Sequence, residues 1–304
     1  MPAHSFLRIL PEVQHALDTG GPVVALESSV LAQGLPVPHN RDAAERMLAA
    51  VRGQRAVPAI TAVANGVPTI GLDSDELERF LRRDGVRKVS ARDVPIAVAQ
   101  RADGATTVAA SLMLASAARI AVFATGGIGG VHRDAPFDES ADLLELARTP
   151  MLVVCAGAKS ILDLPATWER LETLGVPVIG FQTDELPGFF TAETGIRLGA
   201  TATSPEEVVS MFRAHRALGR PQSVLVVQPP PPAHALPRGR VEAAVDEAQR
   251  EALKNGIRGA ALTPFLLAAV TRLTGGSSLT ANLALLEQNA ALAGSLATLV
   301  SARE

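Results

Sequence analysis

The chain has 304 residues, 47% of them hydrophobic and 19% charged, with a formal net charge of -3. That apolar content supports a large core, and the near-neutral balance excludes the broad basic surface that polymeric nucleic acid requires, while leaving small phosphorylated ligands open. A single cysteine, Cys155, excludes an intrachain disulfide framework and fits a reducing compartment, while 3% aromatics and no tyrosine mean that a ligand site is built from small residues, backbone and charges. The start "MPAHSFLRILPEVQHAL" lacks the pattern of a signal peptide, and no uninterrupted apolar run approaches a membrane span. A cytoplasmic protein with no membrane partner is expected.

In chain order, "PVVALE" (22–27) reads as a buried strand and "NRDAAERMLAAVRG" (40–53) as a helix. "PAITAVANGVPTIGL" (58–72) gives two β runs around Asn65-Gly66, a strong hairpin signal, and "DSDELERFLRR" (73–83) gives a helix. Helical spacing returns in "GATTVAASLMLASAA", "ESADLLELAR" and "ATWERLETLG", separated by the strand-like runs "RIAVFAT" and "PMLVVCA"; "VPVIGF" and "SVLVVQ" follow. Continuous apolar strands joined by helices imply a three-layer α/β/α fold with a mixed, largely parallel central sheet. The run "QPPPP" (228–232) cannot continue a helix or strand and favours an extended linker. Beyond it, from about residue 238, the pattern is helical, with Thr263-Pro264 as a cap and first-turn proline. These helices are apolar on more than one face, which favours one domain over residues 1–304 with the C-terminal helices packed on the α/β body. No internal repeat is evident.

Ligands of open α/β sheets bind beyond the carboxyl ends of the strands. There the chain places Glu27, the "GGIGGVHR" loop with His132 and Arg133, Lys159 in "CAGAKS", and the acidic turn "QTDELPG". Each has an ordinary structural reading: a hydrogen-bonded core carboxylate, turn glycines, solvated cations, a lysine whose stem packs while its head snorkels. Their convergence on one rim favours a site. The glycine loop lacks the dinucleotide spacing and reads as a backbone concavity for phosphate or sugar. Lys159 emerges from an apolar run, where desolvation penalises the ammonium form, and a neutral amine attacks an aldehyde to form a Schiff base. Asp138 and Asp142, a helical turn apart, suit either helix capping or a hard divalent ion that keeps much of its water. "RKVSARDVP" supplies Arg87, Lys88 and Arg92 close to Thr106 and Thr107, one of which opens a helix able to accept an anion. Asn282 and Asn289 interrupt an apolar helix, and each amide must satisfy a loop or read a heterocycle. Cys155 reads as a small buried residue.

The motifs "ALESSVLAQGLPVPHN", "KVSARDVP", "GATTVAASLMLA", "FATGGIGGVHR", "DESADLLELA", "VVCAGAKSILDLP", "GVPVIGFQTDELPGFF" and "SSLTANLALLEQNAALA" occur in the order found in pseudouridine-5'-phosphate glycosidases, a family this chain resembles over nearly its whole length. The resemblance implies a homotrimer, a divalent ion (usually Mn2+) and reversible cleavage of a carbon–carbon glycosidic bond to uracil and ribose 5-phosphate. It implies Glu27 as proton donor, Lys159 as imine-forming nucleophile and Asp138 as metal ligand. Lys88, Val108, Ser140, Ala141, Asp142 and Asn282 match substrate-binding positions, Lys88 most naturally at phosphate and Asn282 near the base. The chain departs from the family pattern at Gln33, at Val37, around "PAITAVANG" and at "QPPPP". The principal alternative is therefore a C-glycosynthase joining ribose 5-phosphate to an aromatic polyketide; a sugar-phosphate sensor and a Schiff-base aldolase are further readings.

Overall fold

The computed structural model describes residues 6–133 and 137–302. The first residues of the stretch read for a signal peptide, and residues 134–136 of the acidic segment, lie outside them.

Among the described residues the strands are β1 (Arg8–Ile9), β2 (Val23–Leu26), β3 (Val57–Ala64), β4 (Val67–Ile70), β5 (Arg87–Val89), β6 (Gly104–Thr106), β7 (Val122–Ala124), β8 (Val131–His132), β9 (Leu152–Cys155), β10 (Leu162–Asp163), β11 (Val178–Phe181), β12 (Thr201–Ala202) and β13 (Val224–Val227). The α-helices are α1 (Pro11–Asp18), α2 (His39–Gly53), α3 (Ser74–Arg82), α4 (Val94–Ala99), α5 (Val108–Ala117), α6 (Ala141–Leu146), α7 (Leu164–Thr173), α8 (Pro205–Ala217), α9 (Arg238–Lys254), α10 (Leu262–Leu273) and α11 (Ser277–Ser301).

The main sheet runs β1-β4-β3-β2-β7-β9-β13-β11-β12, with β5 and β6 branching from β3. Strands β2, β7, β9 and β13 are parallel and buried at every residue, as strands covered by helices on both faces must be. The fold is the expected three-layer α/β/α, with a mixed, largely parallel sheet. Asn65 and Gly66, both at positive φ, close the β3–β4 hairpin in the register Ala64 to Val67, as the pair of residue types requires.

The branch at β3 creates the site. Strand β2 pairs with residues 57–60 of β3, and β6 then pairs antiparallel with Ala62 and Val63. Strand β6 therefore takes over where β2 ends, beside Glu27. Buried hydroxyls tie this junction together. Ser28 Oγ and Thr106 Oγ1 each donate to Thr61 O at 2.7 Å, Thr106 N donates to Ser28 Oγ at 2.8 Å, and Thr61 Oγ1 donates to Ser111 Oγ at 2.8 Å. Each satisfies a polar group that the change of strand would otherwise strand in the core.

Several expectations are refined. "RKV" forms strand β5 and "GAT" strand β6, and of the two candidate threonines Thr107 caps α5. Helix α10 begins at Leu262, continuous with a 3-10 turn at Gly259–Ala261, which places Thr263 and Pro264 inside its first turn and leaves the cap position to Ala261. Helix α11 is long and apolar enough by length and composition to cross a membrane, with a mean hydropathy of 1.3, although Asn282, Glu287 and Asn289 interrupt its apolar run. Here it packs on α2 and α8 and against β2, β7 and β9, so its apolar length fills the core.

Candidate active site

The parallel registers align Leu26 with Ala124 and Ala124 with Val154, so the segments leaving β2, β7 and β9 emerge side by side. Beyond them lies a cavity of about 450 Å³, within the range of about 300–1,000 Å³ typical of small-molecule sites. Glu27, Lys88, Val108, Asp138, Ser140, Ala141, Asp142, Lys159 and Asn282 all line it. Residues from six separate stretches of sequence thus meet in one place.

Glu27 is the first residue past β2 and is 6% exposed. Thr125 Oγ1 donates to its Oε1 at 2.5 Å and Ser29 Oγ to its Oε2 at 2.6 Å. Both carboxylate oxygens are thereby fixed. Neither hydroxyl was singled out from the sequence, although "ESS" places Ser29 within reach of its neighbour.

Lys159 is half-buried on the turn after β9. Its Nζ donates to Gly127 O at 2.5 Å and its backbone N–H to Ile128 O at 3.1 Å. The turn requires glycine at Gly157, which has φ +86° and where a Cβ would stand 2.1 Å from Pro187 O. Cys155, at the end of β9, is fully buried and burial pushes its thiol up to about 12, the behaviour of an inert core residue.

The "GGIGG" loop is a joint more than an open anion nest. Ile128 N–H donates to Gly157 O, and Gly129 N–H donates to Asp142 Oδ2 at 2.8 Å. The other oxygen of Asp142 accepts from Ala109 N at 2.9 Å in the first turn of α5. The protein's own carboxylate thus occupies the helix start expected to receive a ligand anion. Gly129 permits this approach, since a Cβ there would lie 2.2 Å from Ser140 Oγ and 2.8 Å from Asp142 Oδ2. Ser140 caps α6, its hydroxyl accepting from Asp142 N at 3.2 Å. Asp142 and Asp138 share the cavity but differ in setting: Asp142 is buried and fully engaged, while the Asp138 side chain is 43% exposed. His132 Nδ1 lies 3.1 Å from Asp138 Oδ1 without the alignment of a hydrogen bond.

Lys88 projects from β5 into the cavity. Its side chain touches the solvent there, yet the cavity walls surround it. Desolvation, followed by the positive charge of Lys159, holds its amine below the usual lysine value; Glu27 and Asp142 oppose the shift. Arg92 also borders the cavity, whereas Arg87 on the other side of β5 is exposed and bonds Gln100. The two asparagines of α11 divide the readings between them. Asn289 donates to Thr125 O at 2.8 Å and accepts from Gln228, a structural role. Asn282 lines the cavity, and its buried amide oxygen has no partner among the described residues. Gln33 also lines it, its amide nitrogen held by Val86 O at 3.2 Å.

Arg133 does not belong to this rim. It lines a second cavity, of about 340 Å³, on the other side of the Lys159 turn. No three His, Cys, Asp or Glu side chains cluster as a metal centre among the described residues. A half-exposed carboxylate such as Asp138 nevertheless fits a hard divalent ion that keeps most of its water and needs one or two protein oxygens.

The α/β/α fold and this site define a member of one family: the chain belongs to the family described as indigoidine synthase A-like protein, whose model matches residues 12–299. It is 63% identical over 290 residues, 95% of each chain, to a protein of Gemmatimonas aurantiaca named pseudouridine-5'-phosphate glycosidase. A protein of the same name from Chloroflexus aurantiacus is 52% identical over 301 residues, 97% of this chain and 99% of its own. Among solved structures, the prealnumycin C-glycosynthase AlnA in complex with ribulose 5-phosphate superposes with TM-score 0.90 at 39% identity, covering 98% of this chain and 97% of that one. An indigoidine synthase A-like protein from Thermotoga maritima gives TM-score 0.90 at 34% identity, covering 98% of each chain.

Proposed function

We propose that this protein reversibly cleaves the carbon–carbon glycosidic bond of pseudouridine 5'-phosphate, giving uracil and ribose 5-phosphate through a Schiff base on Lys159. The observation that carries the reading is the meeting of Glu27, Lys88 and Lys159 in one cavity, in a chain 63% identical to a protein named for this activity.

A carbon–carbon glycosidic bond has no leaving-group oxygen to protonate, so the two-carboxylate scheme of ordinary glycosidases does not serve. In the proposed sequence Glu27 protonates the ribose ring oxygen as the Lys159 amine adds at C1' and the C1'–O bond breaks. The resulting ammonium returns a proton to Glu27, its lone pair forms the C1'=N bond while the C1'–C5 bond breaks, and the electron pair left on the base takes that proton from Glu27 to give uracil. Water hydrolyses the imine, releasing ribose 5-phosphate and the amine. The net balance is one water consumed per bond cleaved.

Thr125 and Ser29 aim the Glu27 carboxyl. Lys88 and Arg92 suit the phosphate, and Asn282 suits the base. Asp138 would hold the divalent ion, Mn2+ in this reading, which neutralises charge on sugar and phosphate oxygens when bound. A homotrimer in the cytoplasm belongs to the same reading and rests on the family resemblance.

The test is incubation with Mn2+ and pseudouridine 5'-phosphate and, separately, with ribose 5-phosphate and uracil, followed by chromatography of the nucleobase. Conversion in both directions supports the reading; conversion in neither, with an active relative as control, refutes it. The 39% identity to AlnA favours one second reading, attachment of the same sugar phosphate to an aromatic polyketide, and turnover of such an acceptor in place of uracil would select it.

A further inference from the structure

The three carbonyls that follow the nucleophile are held from behind by side chains distant in sequence. Arg133 Nη2 donates to Ser160 O at 3.3 Å and Arg133 Nε to Leu162 O at 3.1 Å. Gln249 Nε2, on α9, reaches Ile161 O at 3.4 Å. The third arm of the guanidinium, Nη1, binds Asp246 Oδ1 at 3.1 Å, also on α9 and one turn before Gln249. Inside this cage the turn closes on itself, Leu162 N donating to Lys159 O at 3.0 Å.

We infer that Arg133, oriented by Asp246 and assisted by Gln249, is a positioning residue for Lys159: α9 sets the geometry of the nucleophile's turn without touching the substrate. The inference rests on the imine reading above. Its physical basis is the planar fork of the guanidinium, which bridges two carbonyls of one turn in a geometry that a lysine ammonium does not reproduce. The ion pair itself adds little energy, because the Asp246 carboxylate is 61% exposed. Its part is directional: it takes the one arm of the fork that the turn does not use and so fixes the plane of the other two. Lys159 has a long, rotatable stem, and addition to an aldehyde needs its nitrogen at near-attack distance. A displacement of about 1 Å at such a centre can cost about 100-fold in rate.

The test is rapid-quench borohydride trapping of the full-length enzyme with ribose 5-phosphate, scoring the rate of adduct formation per folded molecule. Arg133→Ala should slow trapping by about 10–100-fold while the half-saturating ribose 5-phosphate concentration changes less than about 3-fold. Free guanidinium should restore part of the rate in Arg133→Ala, and Arg133→Lys should recover less than guanidinium does. Asp246→Asn should slow trapping in the wild-type background and add nothing in the Arg133→Ala background, because it acts through that side chain. Gln249→Ala, which removes one long hydrogen bond, should slow trapping by about 3-fold and keeps the test open if Arg133→Ala does not fold. Unchanged trapping rates in Arg133→Ala, or in Gln249→Ala where that variant carries the test, would overturn the inference. A wild-type enzyme that forms no adduct would instead refute the imine reading on which it rests.

Discussion

Thr125 Oγ1 donates a 2.5 Å hydrogen bond to Glu27 Oε1, joining the residues that directly follow two neighbouring parallel strands, β2 and β7. The bond crosses the carboxyl edge of the sheet, where the strand ends align, and Ser29 holds the second oxygen from the same side of the junction. A carboxyl so held keeps one orientation, which the proposed proton donation requires.

Replacing Thr125 with valine removes that donor at nearly constant volume. The expected result is a fall in kcat of about 10-fold with KM nearly unchanged, because the lost interaction orients a catalytic group and binds no substrate. Thr125→Ser should retain most of the activity. Steady-state release of uracil from pseudouridine 5'-phosphate measures both.

Lys88 carries a prediction about stability. Folding holds its amine below the usual value of 10.5, chiefly by desolvation and then by the charge of Lys159. Between the lowered folded value and 10.5 the unfolded chain binds more protons than the folded one, so this group's contribution to stability rises with pH across that window. Lys88→Met should therefore raise the urea midpoint below the window, flatten its rise with pH, and lower activity. The effect on stability is small, since the amine meets solvent in the cavity. Urea titrations of both proteins from pH 7 to 10.5 check it.

Asp142 joins the glycine loop to the start of α5 through Gly129 N and Ala109 N. Asp142→Ala leaves the buried Ala109 N–H and the part-buried Gly129 N–H without acceptors and should cost about 1–3 kcal/mol, chiefly from the first. Asp142→Asn keeps one acceptor and should fall between the two. Thermal unfolding followed by circular dichroism gives the order.

Much of this was legible in the sequence. Buried strands such as "LVVC" and the Asn65-Gly66 turn announce themselves by composition, and the family motifs pointed to nine residues, each of which lines the cavity. Strands of two or three residues, among them β5 and β6, carry too little periodicity to be read, so the strand that carries Lys88 into the cavity is not apparent from its own segment. The partners of Glu27 and the cage behind Lys159 escaped for a different reason. Arg133 and Gln249 are separated by over a hundred positions, and nothing local in either segment announces that they hold one turn.

Asp138, whose side chain is 43% exposed in the cavity, is the proposed seat of the divalent ion. A chelator should abolish activity and Mn2+ restore it. Asp138→Asn should raise the Mn2+ concentration needed for half-activation by about 10-fold or more, while the thermal midpoint barely moves. Activity titrated against free Mn2+ gives the value.

The central claim is that the Lys159 amine captures the pentose. Wild-type enzyme reduced with borohydride in the presence of ribose 5-phosphate should gain one pentose-phosphate adduct on the tryptic peptide spanning residues 149–170, which contains Lys159 and remains uncut there. An unmodified peptide, or an adduct on Lys88 in its place, would contradict the account.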